Sequence, residues 1–470
     1  MQAALETGMK ATIAGAVAAG LLAAACATTG SVGPAPTPAV KSTLAGISGE
    51  VSEARLRAYI EKMVSFETRS TISDQASPVR GIGAARKWVE SEFRSIGDAC
   101  GGCFEYALPS DTVTGARYPQ PTVVVDVVAI QRGTVEPNRI IIIQGHLDSR
   151  NSTNENVTDD APGANDDASG VAAVIESARI LSKQKFAATI VYAALSGEEQ
   201  GLSGGNILAA YAKSQGWHVE AVLNNDIVGN SRGLNGKIDD KTVRVFSEGV
   251  RATETAAMAN ARKVNGGEVD SPSRSLARYM AQIAEDHMPD FSVRMIYRRD
   301  RYGRGGDQTP FQDAGFPAIR VTEGAENWNH QHQNVRTENG VFYGDTIAYV
   351  DFAYLARVTR LNAMALASLA SAPPPPVEVT VNGALSDDTT VKWTATDGVA
   401  TYRIWWRDTI SPGWQHSVDV PSGQTEFVVK DVVLDDHFFG VQALSASGFG
   451  GPIQYAGPPG AFFPSVEAPK

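Results

Sequence analysis

Three short motifs between His146 and Gly201 concentrate the residue types that bind divalent cations and move protons. They read Gly145-His146-Leu147-Asp148-Ser149, Gly163-Ala164-Asn165-Asp166-Asp167-Ala168-Ser169-Gly170 and Ser196-Gly197-Glu198-Glu199-Gln200-Gly201. His146 and Asp148 stand two apart at a strand end, so they point to one side. There an imidazole can ligate a metal while a carboxylate orients it. Asp166 can offer its two oxygens to two cations at once. Adjacent Glu198 and Glu199 repel each other if buried without a counter-charge. Two divalent cations supply that charge, leaving one glutamate to ligate and its neighbour to act as general base on a water.

The elements that must position these residues are visible as apolar patterns. Residues 140–143 are an unbroken isoleucine run, the mark of a strand buried on both faces. Val171, Val174, Ile175 and Ala178 recur at helical spacing, and residues 189–195 form a second buried strand that ends just before the glutamates. Sites in open α/β sheets are built where such strands end. Each motif also has a structural reading when taken singly. A His-x-Asp is commonly a satisfied pair, a Glu-Glu a solvated helix start, and paired aspartates a helix N-terminus.

Together and in this order, the motifs resemble the co-catalytic di-zinc peptidases that include bacterial leucyl aminopeptidases and glutamate carboxypeptidases. The resemblance covers residues 140–339, with weaker similarity on the flanks. It implies His146 as the first histidine ligand, Asp166 as the bridging carboxylate, Glu199 as a ligand and Glu198 as the general base. Asp226, in Asn224-Asn225-Asp226-Ile227-Val228-Gly229, matches the aspartate ligand. Asp148 and Asp167 are supports that hold ligands in place. The closing histidine falls in Asn329-His330-Gln331-His332-Gln333, where His332 is preferred and His330 competes. The chain lacks the tyrosine that some relatives carry beside that histidine, so Tyr302 is the candidate hydrogen-bond donor. The resemblance further implies two Zn²⁺ per chain and a cis peptide bond between Asp166 and Asp167. The expected activity is hydrolysis of N-terminal residues from peptide substrates. A carboxypeptidase or dipeptidase of the same family is the alternative, and a catalytically retired surface binding protein is the alternative from another class.

The N-terminus points to export. Lys10 precedes an apolar run, residues 13–25, that is too short to span a bilayer and reads as a secretory signal. Leu22-Ala23-Ala24-Ala25-Cys26 resembles a bacterial lipobox, so Cys26 is the expected lipidation site and membrane anchor. A periplasmic or cell-envelope protein follows, an outer-membrane lipoprotein being the preferred form. Of three cysteines, Cys100 and Cys103 then remain, and an oxidising compartment favours a disulfide between them. The formal charge of −11 argues against nucleic acid as a partner.

The fold class expected is α/β, a mostly parallel mixed sheet flanked by helices, followed by a small all-β sandwich. The division is residues 1–25 signal peptide, 26–45 lipid-anchored tether, 46–371 zinc peptidase domain, 372–376 proline linker and 377–470 fibronectin type III-like module. Helices are expected over 52–66, 81–96, 273–287 and 345–369, and strands over 123–130, 242–246, 293–297 and 317–322. The loop Arg298-Arg299-Asp300-Arg301 with Gly303-Arg304-Gly305-Gly306 is either an exposed basic turn or a pocket wall. Four prolines predict a stiff spacer. Beyond it, alternating strands over 389–394, 402–407, 426–429 and 438–443 have Trp393, Tyr402, Trp405 and Trp406 as core candidates. Binding, docking and spacing are all open roles for that module.

Overall fold

The structure, a computed structural model, describes residues 34–463, so the signal peptide and Cys26 lie outside the described residues. Its centre is an eight-stranded sheet. In chain order the strands are β1 (Glu105–Ala107), β2 (Val127–Gln131), β3 (Glu136–His146), β4 (Ala188–Leu195), β5 (His218–Asn225), β6 (Thr242–Phe246), β7 (Ser292–Ile296) and β8 (Ala318–Glu323). In space they run β1-β2-β4-β3-β5-β8-β6-β7. The four central strands β4, β3, β5 and β8 are mutually parallel, while β2 joins β4 and β6 joins β8 antiparallel.

The isoleucine run explains the layering. Ile141 and Ile143 enter one core and Ile140 and Ile142 the other, all fully buried. A side chain of this size stabilises by roughly 1.5–3 kcal/mol when fully buried, so a strand that hides four needs cover on both faces. One cover contains α1 (Pro38–Gly49), α2 (Glu53–Val64), α3 (Gly81–Ala99), α4 (Ala168–Leu181), α7 (Pro272–His287) and α9 (Phe352–Ser371). The opposite cover holds α5 (Ser203–Ser214) and α8 (Gln308–Asp313). A further helix, α6 (Ala256–Asn265), buries no residue. In α4 every residue but Arg179 is buried. Gly170 in its first turn lets the helix approach the strands: a Cβ there would sit 2.4 Å from the Asn225 carbonyl oxygen.

Several expectations are corrected by this architecture. The strand expected over 123–130 breaks at Asp126 into a hairpin strand, Tyr118–Val125, and β2, which pairs with β4. The last helix starts at Phe352, not 345, because Asp351 caps it by accepting the Tyr354 N–H. Residues 38–45, expected in the tether, belong to α1. Thr37 caps that helix, Pro38 suits its first turn, and Val40, Leu44 and Ile47 bury one face. The proline stretch is not a free spacer either: Pro373, Pro375 and Pro376 are buried. Arg139 donates to the carbonyls of Leu369 (3.3 Å) and Ala372 (2.6 Å) at its start.

Cys100 and Cys103 form the expected disulfide, with Cα atoms 5.6 Å apart. Gly101 and Gly102 lie between them at φ +76° and +83°, a conformation that glycine adopts without strain. After residue 377 the chain builds two antiparallel sheets. One holds Val377–Asn382, Thr389–Thr394 and Glu426–Val429; the other holds His416–Pro421, Thr401–Asp408, His437–Leu444 and Gln454–Tyr455. Trp393 and Tyr402 do fill the core between them, with Val391, Ile404 and Phe439. Trp406 packs at its edge, but Trp405 lies in a separate cluster with Trp414 and Tyr455.

Candidate metal centre

The ends of the four parallel strands deliver the chemistry. His146 is the last residue of β3, Glu198 and Glu199 sit in the turn after β4, and Asp226 follows β5. His332 lies beyond β8, after the 3₁₀ turn Trp328–His330. Asp166 precedes α4, and the Asp166–Asp167 peptide is cis.

These residues form two groups that share one member. His146, Asp166 and Asp226 bring ligand atoms within 4.8 Å of one another, and so do Asp166, Glu199 and His332. His146 Nε2 is 3.1 Å from Asp166 Oδ1 and 3.8 Å from Asp226 Oδ1. His332 Nε2 is 3.1 Å from both Asp166 Oδ2 and Glu199 Oε2. Asp166 thus directs one oxygen to each group. Buried His146 Nε2, Asp166 Oδ2 and Glu199 Oε1 have no hydrogen-bond partner. Leaving such atoms unsatisfied is costly, and cations at these positions would satisfy them. The donor set of imidazoles and carboxylates fits Zn²⁺.

The electrostatics agree. Burial alone would lower the His332 pKa, but Glu199 and Asp166 outweigh it and push it up to about 10. Burial would raise that of Asp166, yet the two imidazoles hold it well below the usual carboxylate range. Burial pushes Glu198 up to about 8; His146 opposes this, and Glu199, Asp226 and Asp166 add to it.

The supports do more than orient a ring. His146 Nδ1 bonds to the backbone carbonyl of Asp148 (3.0 Å), and the carboxylate is farther, at 3.7 Å. That carboxylate instead accepts the N–H groups of Glu198 (3.3 Å) and Glu199 (3.2 Å), locking the glutamate turn. Asp167 accepts from the N–H groups of His146 (3.0 Å), Gly170 (3.0 Å) and Ile227 (3.2 Å), tying three ligand-bearing segments together.

Two sequence candidates stay outside. Tyr302 is 87% exposed, its ring lying under Arg298 at 5.2 Å, and it does not line the metal-site pocket. The His330 ring lies against Tyr349, centroids 3.7 Å apart and tilted by 34°, and His330 belongs to neither ligand group. Three residues were missed. Arg320, fully buried on β8, pairs with Asp226 Oδ2 at 2.6 Å. Arg69, also fully buried, donates to the carbonyls of Leu147 (2.8 Å) and Gly163 (2.9 Å), clamping the loops that carry His146 and Asp166. Asp345 accepts the N–H groups of Asn165 (2.9 Å) and Asp166 (2.6 Å). No local motif marks any of them, because each acts on segments remote in sequence.

The comparisons agree with this geometry. The profile of Peptidase family M28 matches residues 126–340. A probable zinc metalloprotease of Leptosphaeria maculans is 43% identical over 90% of this chain and 98% of its own length. The chain belongs to peptidase family M28. A second relative by sequence, a probable zinc metalloprotease of Pyrenophora teres f. teres, is 44% identical over 87% of this chain and 86% of its own. Among solved structures, the fold is similar to the Legionella pneumophila LapA aminopeptidase, with a TM-score of 0.51 and 21% identity over 70% of this chain and 74% of that one. LapB from the same organism gives a TM-score of 0.52 at 19% identity, over 70% and 75% of the two chains. As an M28 member this chain is a zinc metalloprotease, a hydrolase.

Proposed function

We propose that the chain is a two-zinc exopeptidase that removes N-terminal residues from peptides. The observation carrying this reading is the pair of ligand groups sharing Asp166, which offers one site on each side of a single carboxylate. When bound, a pair of divalent cations supplies Lewis acidity and acidifies a water. Glu198 then accepts the proton of the attacking water and returns it to the leaving nitrogen. Asp148 fixes Glu198 through its backbone N–H, while Arg320 holds Asp226 Oδ2 so that Oδ1 faces His146. The pocket in front has a volume of about 330 Å³, a size compatible with a chain end.

Peptide substrates are part of the same proposal. Export and anchoring at Cys26 are also proposed, on the sequence of residues 1–26 alone. The test is a panel of aminoacyl p-nitroanilides and N-acetylated dipeptides, with metal analysis. Free-amine substrates are expected to be cleaved and blocked ones not, with activity lost to a chelator and restored by zinc. Cleavage of blocked dipeptides would move the reading to the carboxypeptidase alternative. Metal content near zero in active-site-intact protein would support a retired binding protein.

A further inference from the structure

The basic loop between β7 and α8 forms one wall of the metal-site pocket, through Arg301, Gly303, Arg304 and Gly305. Its far end is tied to α8, where Arg299 donates to Gln312 (2.6 Å) and to the Thr309 carbonyl (2.8 Å). Its near end is Tyr297, the residue after β7. Tyr297 is 43% exposed, and the guanidinium of Arg274 lies over its ring, 3.7 Å from the centroid. Arg274 is buried on α7, with Nε and Nη2 donating to the hydroxyl and carbonyl of Ser247, both at 2.7 Å. Its buried Nη1 has no hydrogen-bond partner, so the electron-rich ring face supplies the remaining attraction for that cation.

Arg274 is aimed by the first turn of α7, and that turn is aimed by the β module. Ser271 caps the helix, accepting the Arg274 N–H (3.2 Å) and donating its hydroxyl to the Glu248 carbonyl (2.7 Å). The residue before it, Asp270, is fully buried and takes two bonds from Arg407 of the module, at 2.8 and 2.9 Å. A bidentate pair of this kind fixes direction as well as distance. One series of contacts therefore runs from Arg407 through Asp270, Ser271 and Arg274 to Tyr297 and the pocket wall. Glu198 and the ligands His146 and Asp226 are held separately, by Asp148, Asp167 and Arg320. The series thus bears on how a substrate is held and leaves the proton acceptor in place.

We propose that the β module is a working part of the peptidase, with Arg274 and Tyr297 as positioning residues that carry its hold to the pocket wall and set how tightly a peptide is bound. This inference rests on the peptidase reading of the same site.

The test uses the zinc-loaded full chain, an aminoacyl p-nitroanilide that it cleaves, and hydrogen exchange read by mass spectrometry. Tyr297→Leu, at a half-exposed position, is expected to raise KM by roughly three- to tenfold, the range a cation–π contact supplies, with kcat and zinc content unchanged. Loss of uniform binding has that signature. Tyr297→Phe keeps the ring and should keep the parent's KM. Arg407→Met, assayed below its unfolding midpoint, should raise KM likewise and speed exchange over residues 297–305, and the milder Arg407→Lys should do both to a smaller degree. Combining Tyr297→Leu with Arg407→Met should add little to either alone, because contacts in series are not additive. An unchanged KM in Tyr297→Leu overturns the proposal. So do unchanged KM and exchange over 297–305 in the Arg407 variants, or effects that multiply in the double variant. If no peptide is cleaved, the peptidase reading has failed, and the series is judged by exchange alone. Faster exchange over 297–305 in both Tyr297→Leu and Arg407→Lys then sustains it, and unchanged exchange in either overturns it.

Discussion

At the residue scale, neighbouring glutamates are separated in role by where their backbones are held. Glu199 reaches His332 at 3.1 Å, whereas Glu198 belongs to neither ligand group. Glu198→Gln is therefore expected to retain bound zinc while activity falls by ~10²–10⁴, the usual loss with a general base; loss of metal instead would mean the two glutamates exchange roles. Arg320 is a positioning residue for Asp226. Arg320→Met is expected to weaken zinc binding roughly 10- to 100-fold, as losses of a ligand's support do, with partial rescue by Arg320→Lys in a competitive chelator titration. Unchanged zinc affinity in Arg320→Met would remove this role. The contrast also shows what a sequence reveals. His146, Asp166, Glu199, Asp226 and His332 were legible because each sits in a short motif at a strand end. Arg320, Arg69 and Asp345 were not, since an arginine or aspartate acquires such a function only when distant segments fold against it. Tyr302 misled for the opposite reason: its place beside the glycine-rich loop is local, but its direction depends on Arg298.

At the scale of elements, the apolar runs located the central strands, and polar interruptions shifted their edges. Asp126 is the clearest case, a fully buried aspartate inside what reads as one continuous strand. It ends the hairpin strand, starts β2 and accepts the Ser196 N–H at 3.0 Å, next to the glutamate turn. Burial pushes its carboxyl up to about 8, against the opposing pull of Ser196 and Arg86. An unfolded chain releases that proton near pH 4, whereas the folded chain keeps it to about pH 8. Stability therefore falls as pH rises through this window, because the folded state binds the extra proton. Asp126→Asn cannot ionise, so its Tm relative to the parent should climb between pH 5 and pH 8.5, by on the order of 5 °C. A Tm difference that stays flat across those pH values would show that Asp126 is already ionised in the fold.

For the whole molecule, composition suggests two units on a proline spacer, and in the structure the two units pack together. Periodicity can announce a β module, but it cannot say whether prolines between units are solvated, since that depends on what meets them. Asp270, fully buried ahead of α7, is gripped from both sides. Arg278 of α7 reaches it at 2.9 Å, and Arg407 of the β module binds it through two bonds of 2.8 and 2.9 Å. Around that pair, Ser275 bonds to the Ile453 carbonyl (2.9 Å), Arg278 to that of Pro412 (2.8 Å), and Thr37 ahead of α1 to that of Ser447 (3.1 Å). The N-terminal helix, α7 and the module thus share one junction, which makes independent unfolding of the module costly. Removing one partner of a buried ion pair destabilises by about 3–5 kcal/mol, whereas replacing the charges together is far milder. Arg407→Met should accordingly lower the unfolding midpoint, Arg407→Met with Asp270→Asn should lower it further because Arg278 then loses its carboxylate, and replacing all three charges with Arg278→Met as well should recover much of the loss, with a single transition in the parent by both fluorescence and circular dichroism. If Arg407→Met leaves the midpoint in place while the parent unfolds in two separate steps, the module is merely tethered, and the buried junction contributes nothing to its attachment.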